Sequence, residues 1–301
     1  MAPDRADVDA RKIAFAQGVM AEAQAIEIIE RLAEDDIPVI PWKGVLFRRT
    51  LYDDPAERPL TDLDLVAPAA DFERAADVLE RIGYVSERTA RARFGFAAVF
   101  ERGFIREGFL PVELHRALAT GHGATELTRR IFDEGRPAAG IFPQPNVHAP
   151  TPEQTLVGLA LHFREHGLQM LPYQFDDVRR LLIRLRPDLG HTARLAGEVG
   201  ALLPLALLLE AAGETEASRR LVLAAPLRWR RATILALTRL GDGGFEPILP
   251  GSGTRNGDRL WRLLLHLALA RDSFMESARS QAMHGAFLAR ELAIGRRKKG
   301  R

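Results

Sequence analysis

Between Asp9 and Asp35, apolar residues recur at roughly helical spacing, at Ile13, Val19, Ile26, Ile29 and Leu32, with charges between them. This pattern predicts an amphipathic helix. Ile37-Pro38-Val39-Ile40-Pro41-Trp42 then reads as a short strand whose prolines suit a sheet edge or a strand start. Lys43-Gly44 stands at its end, and Val45 to Tyr52 predicts a second helix. Beyond the loop Asp53 to Glu57, Asp62-Leu63-Asp64-Leu65-Val66 alternates with period two, as a strand does, and Pro68 closes it. Ala69 to Ile82 places Phe72, Ala76, Leu79 and Ile82 on one helical face, with Gly83 set to cap it. The order is helix, strand, helix, strand, helix.

From Tyr84 to Leu118 the apolar runs Phe94 to Phe100, Gly103 to Ile105 and Phe109 to His115 are punctuated by glycine and predict antiparallel strands. Gly135 to Pro150 is rich in Pro and Gly and marks a domain junction. After it, Thr151 with Pro152 and Glu153-Gln154 forms a helix-start signal. Leu202 to Ala212, Leu221 to Leu240 and Gly257 to Ile294 carry few strand signals, so this half predicts a helical bundle. The expected division is 1–140, 150–295 and a basic tail at 296–301. An α+β protein follows.

Composition narrows the function. The 301 residues include no cysteine, which removes disulfides, thiolate zinc sites and a Cys nucleophile. A net charge of only +2 lends little support to nucleic-acid binding, and the Arg- and Lys-rich tail reads as a frayed end. No stretch stays charge-free long enough to span a bilayer and no signal peptide is visible, so a soluble, cytoplasmic protein without membrane association is expected.

The chemistry concentrates in carboxylates. On a strand, Asp62 and Asp64 project to one face, and two like charges so close call for a metal, a cation or solvent. Hard oxygen ligands suit Mg²⁺ or Mn²⁺. A local alternative pairs Asp62 with Arg58 and leaves Asp64 at a solvated edge. Glu113, between Val112 and Leu114, supplies a third carboxylate if its strand lies beside Asp64. Lys43-Gly44, at a strand-to-helix turn, offers amides and positive charge to a phosphate, with Arg58 adding to it. His115 shares a face with Glu113, as its orienting partner or as a general base. Trp42 is a core aromatic or a stacking platform for a base. In the helical half, His162-Phe163-Arg164-Glu165-His166 fits the H-x-x-E-H pattern of zinc hydrolases, with both imidazoles on one helix face. Asp176 pairs with a nearby arginine, and Asp177 is a candidate acceptor-site residue.

PWKG, then RPLTDLDLV, then GY after the next helix, then VELHRAL, resembles the polymerase-β-like nucleotidyltransferase superfamily. More specifically it is similar to the uncharacterised bacterial nucleotidyltransferase family. The likeness continues through Leu161-His162 and Phe175-Asp176-Asp177-Val178. It implies a small mixed sheet flanked by helices with a helical domain after it, Mg²⁺ or Mn²⁺ held by Asp62, Asp64 and Glu113, and a nucleoside triphosphate gripped by Lys43, Gly44 and Arg58. It further implies nucleotidyl transfer to an acceptor, a small molecule, a peptide or protein, or an RNA end, with Glu113 or His115 taking the proton. A non-catalytic nucleotide-binding regulator of the same fold is the alternative. The Lys-Gly turn lacks the Ser that the superfamily places after its Gly.

Overall fold

The computed structural model describes residues 5–87, 100–138, 140–221, 225–247 and 272. The expected strand over Phe94 to Val99, the last expected helix apart from Asp272, and the basic tail lie outside the described residues. The chain divides into two compact units, one taking residues to Leu118 with Thr128–Pro150, the other Ala119–Leu127 with everything from Thr151.

The first unit is an α+β layer. Helix α1 (Arg5–Glu34) leads into β1 (Ile40–Trp42), α2 (Gly44–Leu51), β2 (Leu63–Val66), α3 (Phe72–Arg81), β3 (Val85–Ser86), β4 (Glu101–Ile105) and β5 (Val112–His115). The five strands form one mixed sheet in the order β1-β2-β5-β4-β3. Only the β2–β5 pair is parallel, so β5 meets its antiparallel partner β4 on one side and a parallel one on the other. Leu63, Leu65, Phe104, Val112 and Leu114 alternate onto one face and are all buried. Arg102 shares that face and lies over the Phe72 ring at 5.3 Å, which sets α3 against it.

The buried stripe of α1 is Ala21, Gln24, Ala25, Ile28, Ile29 and Leu32, whereas Val19 is exposed. Small residues let this helix lie close, and Gln24 secures it. Its amide donates to the Tyr84 hydroxyl and the Leu110 carbonyl, both at 2.8 Å, and accepts from the Leu110 N–H at 3.0 Å. Gly18 has a different task, because a Cβ there would sit 1.9 Å from the buried Arg48 guanidinium. Gly83, with φ +91°, ends α3 as expected.

The Pro- and Gly-rich segment 135–150 is bound into this unit. Val39 donates to the Asn146 carbonyl and accepts from the His148 N–H, each at 2.9 Å, and Asn146 Nδ2 donates to the Ile37 carbonyl at 2.8 Å. The segment therefore runs beside the outer flank of the chain entering β1.

Helix α4 (His122–Glu134) carries residues of both units. The second unit continues with α5 (Pro152–Glu165), α6 (Pro172–Arg184), α7 (Leu189–Glu198), α8 (Leu202–Ala211), α9 (Thr215–Leu221) and α10 (Ala225–Leu237). The capping signal forms: Thr151 Oγ accepts from Gln154 N–H at 3.2 Å and Gln154 Oε1 accepts from Thr151 N–H at 2.8 Å. Gly123 allows close helix contact, since a Cβ would stand 1.9 Å from the Val199 carbonyl oxygen. Asp272 caps α8 from far along the chain, accepting the N–H groups of Leu202 and Leu203 at 2.7 Å.

One element departs from the helical expectation. Thr238 to Leu240 leaves the helix and forms β6 (Thr238–Gly241), hairpinned onto β7 (Gly244–Pro247). Gly244, at φ +113°, permits the turn. Among the described residues, no helix is long and apolar enough to cross a membrane.

Candidate metal and phosphate site

Strand register assembles the site. Asp64 lies opposite Trp42 on β1 and Glu113 on β5, and Glu113 lies opposite Gly103 on β4. Directly paired residues share a face, so Trp42, Asp64, Glu113 and Gly103 form one row across the sheet. Two residues along each strand, the row Ile40, Val66, His115 and Glu101 lies on the same face. At Gly103 the row carries no side chain beside Glu113.

Asp64, Glu113 and His115 each offer a ligand atom within 4.8 Å of the others. His115 Nε2 is 3.0 Å from Asp64 Oδ1 and 3.6 Å from Glu113 Oε2, while its Nδ1 is 3.7 Å from Glu101 Oε2. Lys43 Nζ approaches the same Asp64 oxygen at 3.5 Å. Lys43 holds φ +51°, a left-handed value that costs a non-glycine residue roughly 1–3 kcal/mol. The turn from β1 into α2 thus accepts strain while its ammonium lies against a carboxylate.

These charges shape one another. Burial alone would raise the Asp64 pKa, but Lys43 and the hydrogen bond from His115 bring it down to about 2. Burial likewise opposes charge on His115, yet the Asp64 hydrogen bond and charge lift its pKa above the ordinary value. Glu113 is pushed up by burial and by the neighbouring carboxylates, against the pull of His115. Asp62 is pushed up by burial and then by Asp64. A cation bound here would relieve the cost of ionising both raised carboxyls. Two carboxylates and an imidazole within this reach of one another could hold a divalent metal ion.

The other expected residues fall around this cluster. Asp62 precedes β2 in a bend, half-buried, so strict strand alternation does not govern it, and it stands outside the 4.8 Å group. Its charge is still felt at Glu113. Arg58 is buried, and its carbonyl accepts from Arg48 Nη1 at 2.9 Å. A Cβ on Gly44 would lie 2.7 Å from Leu60 Cδ2, so Leu60 would have to shift to make room for it. Trp42 is 1 % exposed and meets Phe47 edge-on at 6.1 Å, as a core aromatic does. Glu101 and Gly103 lie beside the cluster, and the sequence alone did not point to them.

In the second unit, His162 and His166 bring their ring centroids to 4.2 Å. Glu165 turns elsewhere and accepts the Thr120 N–H at 3.0 Å. Asp176 pairs with Arg179, and Asp177 is buried on α6.

No curated protein and no solved structure matches the chain. A family model described as an uncharacterised nucleotidyltransferase matches residues 8–215, more than half of the chain. That span takes in β1, the Lys43 turn, Asp64, Glu113, His115 and the α5 histidines, and the chain belongs to this uncharacterised nucleotidyltransferase family.

Proposed function

We propose that the protein transfers a nucleoside monophosphate from a nucleoside triphosphate to an acceptor hydroxyl or phosphate, releasing pyrophosphate. The observation that carries this reading is the meeting of Asp64, Glu113 and His115 from two parallel strands on one face of the sheet. Asp64 and Glu113, joined by Asp62, would hold the Mg²⁺ or Mn²⁺. A bound divalent ion supplies positive charge to the triphosphate and eases deprotonation of the acceptor.

The remaining roles belong to the chain. Lys43, already held against the carboxylates, shifts its ammonium to a phosphate oxygen when triphosphate arrives, and Arg58 and the Gly44 turn complete the grip. Glu113 takes the acceptor proton, and His115, 3.6 Å from it, positions it while bonded to Asp64. The acceptor is a small molecule, a peptide or a protein side chain in preference to an RNA end, because the net charge gives no electrostatic footprint for nucleic acid.

Calorimetric titration with ATP and GTP, with and without Mg²⁺, tests the reading. Binding is expected only with the ion, weakened by about 10- to 100-fold in Asp64→Asn and Glu113→Gln, the range by which disturbing a metal site lowers its affinity. Pyrophosphate release on addition of candidate acceptors is then the catalytic assay. Triphosphate binding indifferent to Mg²⁺ and to both substitutions would overturn the proposal, and binding without any pyrophosphate release would leave a nucleotide-sensing protein instead.

A further inference from the structure

Gly103 is a glycine that its own strand does not require. Its φ lies outside the left-handed region, and glycine inside a strand weakens it through added backbone freedom and a missing packing group. Nor is the space beside it taken. Among the described residues, a Cβ there would meet only the Glu87 side chain, at 3.5 and 3.7 Å, which is ordinary contact distance. Glycine at such a place in a strand marks close approach by something else.

What approaches it follows from the row in which it stands. Glu87 N–H donates to the Gly103 carbonyl at 2.8 Å and carries the β3–β4 register one residue beyond Ser86. Glu87 therefore joins the row of Trp42, Asp64, Glu113 and Gly103 on the same face. In the sheet order β1-β2-β5-β4-β3, the Lys43 turn lies at one end of this row and Glu87 at the other. A triphosphate held at Lys43 puts its leaving pyrophosphate at the β1 end, and in-line displacement brings the acceptor oxygen from the opposite side, over Glu113 and Gly103. The face is open there, since the paired Ile105 and Val85, two residues along β4 and β3, are 44 % and 65 % exposed. Its charge is also one-sided. Glu87 leans over Gly103, and Glu101 stands two residues before Gly103 on the same face, its carboxylate 3.7 Å from His115 Nδ1. These carboxylates repel a phosphate and attract an ammonium.

Resting on the transferase reading above, we infer that Gly103 is the floor of the acceptor subsite, and that Glu87, with Glu101 beside it, selects an acceptor carrying an ammonium group as well as its hydroxyl. Strands stand about 4.8 Å apart, so a hydroxyl at Glu113 and an ammonium reaching towards Glu87 are separated by roughly 5–10 Å. The hydroxyl oxygen bonds to the α-phosphorus, its proton passes to Glu113 and the bond to pyrophosphate breaks, while the ammonium stays paired with Glu87. An acceptor phosphate is disfavoured by the same charges.

The test uses the full chain with aminopentanol, pentanediol and hydroxypentanoate, chains of one length that carry a cation, no charge and an anion. Binding to the protein saturated with Mg²⁺ and a non-hydrolysable ATP analogue reads the preference without turnover, and pyrophosphate release from ATP reads it with turnover. Aminopentanol is expected to be favoured by about three- to tenfold over the other two, the scale of a partly exposed charge pair. Glu87→Gln should remove most of that difference. Gly103→Val should cut aminopentanol binding by about tenfold or more while ATP still binds, and the melting temperature should hold or rise, because valine suits a strand. Equal binding of the three compounds, or binding of none, would overturn the inference, and so would a preference that survives Glu87→Gln. A melting temperature lowered by Gly103→Val would show that the strand itself needs glycine, which overturns it as well. All these outcomes leave Mg²⁺-dependent ATP binding in place, whereas loss of that binding is the failure of the transferase reading itself.

Discussion

The carboxylate cluster and the histidine pair of α5 are built in opposite ways. The carboxylate site draws Lys43, Asp64, Glu101, Glu113 and His115 from four different positions along the chain and lets strand register bring them together. The histidine site takes both imidazoles from one helical turn. The first is crowded with charge that must be balanced even before any ligand arrives. The second carries no carboxylate among its lining residues and opens onto a cavity. A cluster made by register is neutralised from within, by Lys43 and His115, whereas a pair made by helical spacing needs only one stretch of chain.

That contrast can be broken most forcefully at Lys43. Lys43→Met leaves the buried Asp64 with His115 as its remaining close cation, and loss of one member of a buried ion pair costs about 3–5 kcal/mol. Denaturant unfolding should show that loss in metal-free protein, and added Mg²⁺ should restore more stability to Lys43→Met than to the wild type. Equal restoration would mean that Lys43 is not balancing charge at this site.

A smaller effect is expected on the other side of the comparison. Gly244→Ala places a Cβ 2.3 Å from the Leu168 carbonyl oxygen at a φ of +113°, so the hairpin must shift away from the cavity wall. A destabilisation of about 1–3 kcal/mol should follow, visible in denaturant unfolding, with Mg²⁺-dependent triphosphate binding retained. Loss of that binding together with the hairpin would show that the carboxylate cluster depends on the hairpin.

The smallest expected effect is a pH dependence. His148 is partly buried against Phe132 at 5.5 Å, and burial pushes its pKa below the usual 6.5. The unfolded chain therefore binds this proton more readily than the folded one, so the stability His148 contributes is present above about pH 6.5 and is lost as pH falls towards its lower folded pKa. His148→Phe should flatten that part of the stability profile, leaving the carboxylate site's own acid response in place. An unchanged profile would show that His148 does not contribute.

The same distinction between register and local spacing explains what could be read in advance. Glu113 between two buried aliphatics announced itself, and so did the helix cap at Thr151, because each pattern lies within a few residues. Glu101 and Gly103 gave no signal, since their places depend on which strand pairs with β5. Asp62 looked equivalent to Asp64 under period-two alternation, but the strand begins after it. On α1, counting large apolar residues picked the exposed Val19 and passed over Ala21, Gln24 and Ala25, where small size and an amide make the contact. The β6 strand was hidden because Thr238-Arg239-Leu240 continues the texture of the helix before it, and pairing with β7 decides otherwise.

The segment 146–148 beside the chain entering β1 has a practical consequence. Composition invites a cut at 140, where Pro and Gly cluster, but that cut would remove Asn146 and His148 from their bonds to Ile37 and Val39. The outermost strand would then offer open backbone groups to other molecules, the usual starting point for edge-to-edge aggregation. A fragment intended to stay soluble must carry its own edge guard and run through Pro150.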